Sequence, residues 1–313
     1  MTGKRIPNPA ATGHDPLFAD LLARARTRPP AVTAVAWPLS ADALAGPIDA
    51  AAEGLIEPWL VGPEAGIRAL AERESLDLSA CQLIDIADPV QAAMHCAALA
   101  RDREVGAIMK GSLHTDELMA AVVARESGLR TARRISHAFV MGVPGHPRLF
   151  MITDAAVNIA PDLEAKRDIV QNAIELAHAL GVPAPRVALL AAVETVTPKM
   201  PATLDAAALC KMADRGQITG GVLDGPLALD NALSDESARI KGIVSQVAGR
   251  PDILVAPDIE AGNMLYKQLV FFTGAFAAGL VLGAKVPVIL TSRADGRDSR
   301  IASCAVARLA AGV

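Results

Sequence analysis

Aromatic side chains are scarce, at 3% of the 313 residues, with one tyrosine and two tryptophans. The apolar share of 52% is rich in Ala, Leu and Val instead, a profile that suits a helix-and-sheet enzyme. An excess of either charge is also lacking: 30 basic against 34 acidic residues leave a net charge of -4. That balance gives no electrostatic pull toward nucleic acid or anionic lipid, so neither nucleic acid nor membrane is expected as a partner. Cys81, Cys96, Cys210 and Cys304 stand far apart without a CxxC pair. Neither a zinc site nor a disulfide framework is indicated, and a reducing cytoplasm is the simple inference. The most membrane-like stretch, 268–284, lies uncharged between Lys267 and Lys285 but is broken by Gly274, Gly279 and Gly283. It falls short of the roughly 20 apolar residues a span needs and reads as a buried helix and strand. The opening MTGKRIPNPAATGHDP has no apolar core of a signal peptide and reads as a polar tail. Absent as well are a phosphate-cradling GxxxxGKS/T and a GxGxxG after a strand, which argues against an ATPase and a conventional dinucleotide fold, and the histidines show no HExxH or paired spacing that would suggest a metal. Asp224, Asp230 and Asn231 in DGPLALDN lack a regular calcium-loop pattern, so no metal is expected.

What is present is length enough for two domains with proper cores. Short apolar runs at 31–37, 57–61, 83–86 and 106–109 alternate with helical periodicity at 16–27, 40–54, 64–74 and 89–103. Such alternation predicts a mainly parallel sheet covered on both faces. After Gly128 the pattern changes: runs at 135–141 and 148–153 flank VPGHP, the mark of an antiparallel hairpin. A long helix over 162–180 stops at Gly181, and a strand at 187–191, a helix at 202–215 and a strand at 218–223 feeding Asp224-Gly225-Pro226 follow. No internal repeat or low-complexity linker is found. Boundaries are placed where the pattern changes, giving 1–130 plus 280–313 as one α/β domain and 131–279 as a second.

The stretch 252–304 holds two anion-binding constructions, each a buried strand, a polar loop and a helix. In the first, 253–255 is the strand, Pro257-Asp258 turns, and Gly262-Asn263 opens a helix that carries Lys267 four residues on, on the same face as Asn263. In the second, 286–290 is the strand, Thr291-Ser292-Arg293 sits at its carboxyl end, and a helix starts near Asp298. Loops beyond the carboxyl ends of parallel strands hold ligands, and helix starts favour negative charge. Arg293 suits a phosphate because its planar fork holds two oxygens and its charge does not titrate; the plainer reading is an ion pair with Asp295 or Asp298. Lys110, Ser112, His114 and Thr115 form another strand-end loop, in which Lys110 either adds charge toward a phosphate or is solvated, and His114 either lines the cleft or caps a helix.

Three segments in order, GPLALDNALSDESARIKGI, PDIEAGNMLYKQL and VPVILTSRAD, resemble the phosphate acetyltransferase and phosphate butyryltransferase family. The resemblance implies two α/β/α domains of isocitrate/isopropylmalate dehydrogenase-like fold, one inserted in the other, with the active site in the interdomain cleft. It implies acyl-CoA and inorganic phosphate as substrates, coenzyme A as substrate rather than tightly bound cofactor, and a homodimer. By the same resemblance Arg293 holds the phosphate of the acyl phosphate, Ser292 steadies the developing oxyanion, and Asn263 and Lys267 belong to the matched motif. Acetyltransferases carry the thiol-deprotonating aspartate seven residues after that serine, where this chain has Ser299, with Asp298 just before it. They also carry arginines near the places of Met119 and Phe271, and TSRAD and TDAAVNIAPD look closer to the butyryltransferase-like branch and to the acyltransferase domain of hydratase-fused enzymes. An acyl range wider than acetyl is the expectation drawn from these departures. Two other functions stay open at this level: a non-catalytic acyl-CoA-sensing domain of the same fold, and a metal- and NAD(P)-dependent decarboxylating dehydrogenase.

Overall fold

Local chemistry sets the first elements of the chain in a computed structural model that describes residues 16–291 and 295–311. After α1 (Pro16–Arg26) and β1 (Ala31–Ala36), Ser40 caps α2 (Ala41–Ala52) by accepting from Ala43 N. β2 (Ile56–Gly62), α3 (Glu64–Glu74) and β3 (Gln82–Asp85) follow, and Asp88 then caps α4 (Pro89–Arg101), which has Pro at its first position where the missing N–H is harmless. β4 (Ala107–Lys110), buried throughout, leads to α5 (Thr115–Val123).

The chain next forms β5 (Ser136–Gly142) and β6 (Phe150–Thr153), paired antiparallel as the hairpin pattern predicts. Asp162 caps α6 (Leu163–Ala179), and β7 (Arg186–Leu190) and α7 (Pro201–Asp214) follow. β8 (Val222–Leu227) corrects the strand expected at 218–223, for it runs straight through Asp224-Gly225-Pro226. Pro226 is tolerated because β8 lies at the end of the sheet order, with only β7 beside it. Two short helices, α8 (Leu229–Leu233) and α9 (Asp235–Ile240), precede β9 (Ile253–Val255) and α10 (Ile259–Thr273). β10 (Phe276–Leu282), the two-residue β11 (Val288–Ile289) and α11 (Arg297–Ala310) close the chain, so the second strand of the 252–304 stretch is shorter than the 286–290 expected.

These elements divide into two compact units, 134–277 and 16–133 with 278–311. In the unit that contains both ends of the described chain, strand order is β3-β2-β1-β4-β11-β10, parallel except for β11 against β10. In the other the order is β5-β6-β9-β7-β8, parallel except for the β5–β6 hairpin. The mixed α/β class and the mostly parallel pairing are as expected. α11 packs on α1 and α2 and buries Ile301, Cys304, Val306 and Leu309. The 268–284 stretch, read as a buried helix and strand, is buried in β10, but Phe271 and Phe272 at the end of α10 are 57% and 81% exposed. Among the described residues no helix is long and apolar enough to cross a membrane.

Candidate active site

In the unit formed by 16–133 and 278–311 the chain steps outward from β1 to β2 to β3, then returns to lay β4 on the other side of β1. The crevice outside the carboxyl ends of the strands at such a reversal is where open α/β sheets take ligands. Here the two strand-end loops are knitted together. Gly111 N donates to Ala36 O at 2.9 Å, and a Cβ at Gly111 would stand 2.3 Å from that same oxygen, so only glycine fits. Ser112 donates through both N (2.9 Å) and Oγ (2.8 Å) to Trp37 O, while its Oγ accepts from Leu39 N at 3.2 Å. Trp37 itself takes a left-handed φ of 59°, turning the chain sharply between β1 and α2.

A cleft of about 360 Å³ opens over these loops, lined by Ser40, Asp42, Lys110, Ser112, Thr291 and Arg300 among others. Thr291 follows β11, which pairs with β4, so three neighbouring parallel strands point their carboxyl ends at it. Lys110 is 8% exposed, and its Nζ donates to Gly111 O at 3.0 Å and Leu113 O at 3.3 Å. Those carbonyl dipoles solvate a buried ammonium in place of water. Arg300 escaped the sequence reading. Its Nη1 donates to Asp295 O at 2.7 Å and its Nη2 to Asp42 Oδ1 at 3.2 Å, while its Nε is buried with no acceptor among the described residues. Gly46 makes room for it, since a Cβ there would lie 3.1 Å from Arg300 Cδ. The one available signal was a cation in the first turn of a helix, where the dipole disfavours it.

Ser292 and Arg293 lie outside the described residues. Asp298, half-buried in the first turn of α11, has its carboxyl pushed above the ordinary range by burial, with neighbouring Arg297 pulling the other way. Ser299 is half-buried beside it, and its carbonyl accepts from Ser303 Oγ at 2.7 Å. His114 precedes α5, is exposed, and its backbone N donates to Glu117 Oε2 at 2.8 Å, which is a helix cap. Thr115 is exposed at the first position of α5, and Met119 is half-buried one turn on.

The first of the two expected anion-binding constructions takes a different form. α10 begins at Ile259, a turn before Gly262, and Asp258 caps it by accepting from Ala261 N at 2.8 Å. The free N–H groups of that helix start face the chain's own carboxylate. Gly262 serves a close approach, for a Cβ there would stand 2.6 Å from Asp154 O. Asn263 shares a face with Lys267 as predicted, but its Nδ2 donates to Ala155 O at 3.0 Å. Asn263 therefore clamps α10 onto the loop after β6. That loop is built on buried Asp154, whose carboxylate accepts from Ala156 N, Val157 N, Asn158 Nδ2 (2.6 Å) and, on the facing strand, His137 N (3.2 Å). Lys267 is exposed, Phe271 lies further along the same helix with its ring exposed, and Tyr266 stacks on Phe139 with centroids 3.7 Å apart. Asp230 pairs with Lys241 at 3.0 Å, and Asn231 donates to Glu194 at 3.2 Å.

Comparison with known proteins supplies the deciding observation: a model of the family described as "Phosphate acetyl/butaryl transferase" matches residues 87–308. The chain belongs to that family. It is 62% identical over 289 residues to a phosphate acetyltransferase of Rhizobium meliloti, covering 92% of each. It is 42% identical over 294 residues to a phosphate butyryltransferase of Clostridium beijerinckii, covering 94% of this chain and 97% of that one. Among solved structures, a branched-chain phosphotransacylase from Enterococcus faecalis superposes with a TM-score of 0.79 at 29% identity, over 90% of this chain and 99% of its own. Family members are acyltransferases, and the greater identity lies with a relative named for acetyl transfer.

Proposed function

We propose that this phosphate acyltransferase moves a short acyl group, acetyl or butyryl, reversibly between coenzyme A and inorganic phosphate by direct attack in a ternary complex. In the synthetic direction a phosphate oxygen attacks the thioester carbonyl, the C–S bond breaks, and the coenzyme leaves as thiolate and takes a proton. In reverse, the thiol loses that proton to a base and the thiolate displaces phosphate. The observation that supports this most is the family match, which runs through both cleft loops that follow β4 and β11.

Arg293 grips the phosphate in bidentate fashion, and Ser292 donates to the oxygen that gains charge. Lys110 adds positive charge at the switch-point crevice, and Lys267 adds it from α10, positioned through the Asn263 clamp. Asp298 is the base: forming a thiolate at neutral pH from a thiol of pKa about 8.5 costs on the order of 2 kcal/mol, which a raised carboxylate can meet by taking the proton. No enzyme thiol competes for the acyl group. Burial raises the thiols of Cys81 to about 11 and of Cys210 and Cys304 to about 12, and Cys96 is raised as well. The free thiols fit a reducing cytoplasm, and the exposed Met264, Phe271 and Phe272 of α10 fit a self-association surface for a homodimer.

The test is thiol release from acetyl- and butyryl-CoA with and without phosphate, followed by a thiol reagent, with Arg293→Ala as control. Release that requires phosphate is expected, and the substitution should raise KM for phosphate at least tenfold while leaving KM for the thioester within about twofold. Absent release with every short acyl-CoA would point to an acyl-CoA sensor instead, release that does not need phosphate would be thioester hydrolysis and would overturn the transfer to phosphate, and equal losses for both substrates would remove Arg293 from its role.

A further inference from the structure

The switch-point cleft contains a cation that the proposed reaction has not used. We propose that Arg300 is a second phosphate-binding residue, taking a substrate phosphate together with Lys110; this rests on the reading of the protein as a phosphate acyltransferase.

Charge accounting within this one unit leads there. Arg300 is 11% exposed at its side chain, whereas its carboxylate partner Asp42 is 68% exposed. An ion pair with so exposed a partner returns little, and it does not offset the desolvation of a guanidinium. A tie between α11 and α2 is therefore a poor reason for burying this residue. The Nε–H, buried with no acceptor among the described residues, is a further uncompensated cost. The first cost is relieved by an oxyanion in the cleft, which Arg300 lines. Two anchors, Asp295 O and Asp42 Oδ1, fix the plane of the guanidinium, and a fork aimed in advance loses little freedom on binding. Lys110 lines the same cleft, and among the described lining residues Asp42 is the carboxylate beside these two cations. The start of α2 at Ser40 lies on the same wall and adds in the same sense. The volume, about 360 Å³, is in the range of small-molecule sites and leaves room for more of the substrate than a phosphate alone.

The phosphate has two sources: inorganic or acyl phosphate, and the phosphate groups of coenzyme A. Arg300→Gln in the full-length protein separates them. KM for inorganic phosphate and for acetyl-CoA is measured beside the same turnover with S-acetylpantetheine, which carries no phosphate, and thermal unfolding is followed in parallel. A rise of tenfold or more in KM for inorganic phosphate, persisting with S-acetylpantetheine, assigns Arg300 to that substrate. A tenfold rise in KM for acetyl-CoA that disappears with S-acetylpantetheine assigns it to the coenzyme. Both KM values within twofold of the parent, with at most a lowered melting temperature, overturn the proposal. Should Arg300→Gln not fold, Asp42→Asn, at an exposed side chain, removes the cleft's carboxylate and should tighten binding of the same phosphate threefold or more; unchanged affinity overturns the proposal. Calorimetric titration of parent and variant with inorganic phosphate and with coenzyme A reads binding without turnover. Arg300-dependent binding by a protein with no phosphate-dependent thiol release would sink the acyltransferase reading and keep this inference, and no binding of either by the parent would sink the inference.

Discussion

Asp298 and its neighbours test how far single residues carry the chemistry. Burial holds the Asp298 carboxyl above its ordinary value of 3.8. A base must be ionised, so its fraction grows as pH rises through the raised value, and the acid limb of the rate profile should sit above the usual carboxylate range. Asp298→Asn should abolish that limb and lower kcat by roughly 10²–10⁴-fold, with KM for phosphate little changed; a pH–rate profile with the limb intact would shift the role to Asp295. Residue identities of this kind were legible in sequence only where a motif carried them. Arg293, Ser292, Lys267 and Asn263 stood in matched segments, whereas Arg300 stood in none. Asp42, to which Arg300 donates, lies 258 positions away.

At the scale of elements, α10 shows why a glycine and an amide follow the aspartate. Asp258 starts the helix, Gly262 lets the helix meet the backbone of 154–155, and Asn263 fastens that contact. Gly262→Ala would drive a methyl group into Asp154 O on one side and Ala155 on the other, neither of which is a flexible side-chain end. We expect a loss of about 1–3 kcal/mol in urea unfolding, larger than the roughly 1 kcal/mol for removing the Asp258 cap by Asp258→Ala; the reverse order would mean that the helix start, not the close approach, sets this junction. The strand and helix of this segment were readable from periodicity, which is a local property. The capping of the helix by its own carboxylate was also local, yet the expected start at Gly262 missed it. Glycine was taken as a beginning when it was a contact, and contacts are not written in periodicity. The same limit explains β8, where Gly-Pro reads as a turn unless it is known that the strand has a neighbour on one side only.

Over the whole molecule, acid sensitivity should trace to His137. Its ring is 1% exposed, edge-on to Phe139 at 4.4 Å, and neither ring nitrogen has a partner among the described residues. Burial pushes its pKa down, and the Asp154 carboxylate opposes the shift. A histidine held neutral in the fold, with an unfolded value near 6.5, leaves stability intact above that pH and erodes it as pH falls toward the folded value. His137→Phe should therefore flatten the loss of stability below about pH 6.5 and leave the protein as stable or about 1 kcal/mol more stable at pH 7. Urea midpoints across pH 4–8 check this, and parallel curves for parent and variant would clear His137 of the role.

The amino-acid order alone determined the α/β class, the mostly parallel pairing and the family, because hydrophobic period and contiguous motifs are encoded within short windows. It did not determine which loops share a crevice. Strand order decided that, by returning β4 beside β1 and adding β11 next to it, so that residues from three remote segments line one cleft. Such a meeting depends on how the sheet is wound, and no local stretch of chain carries that information.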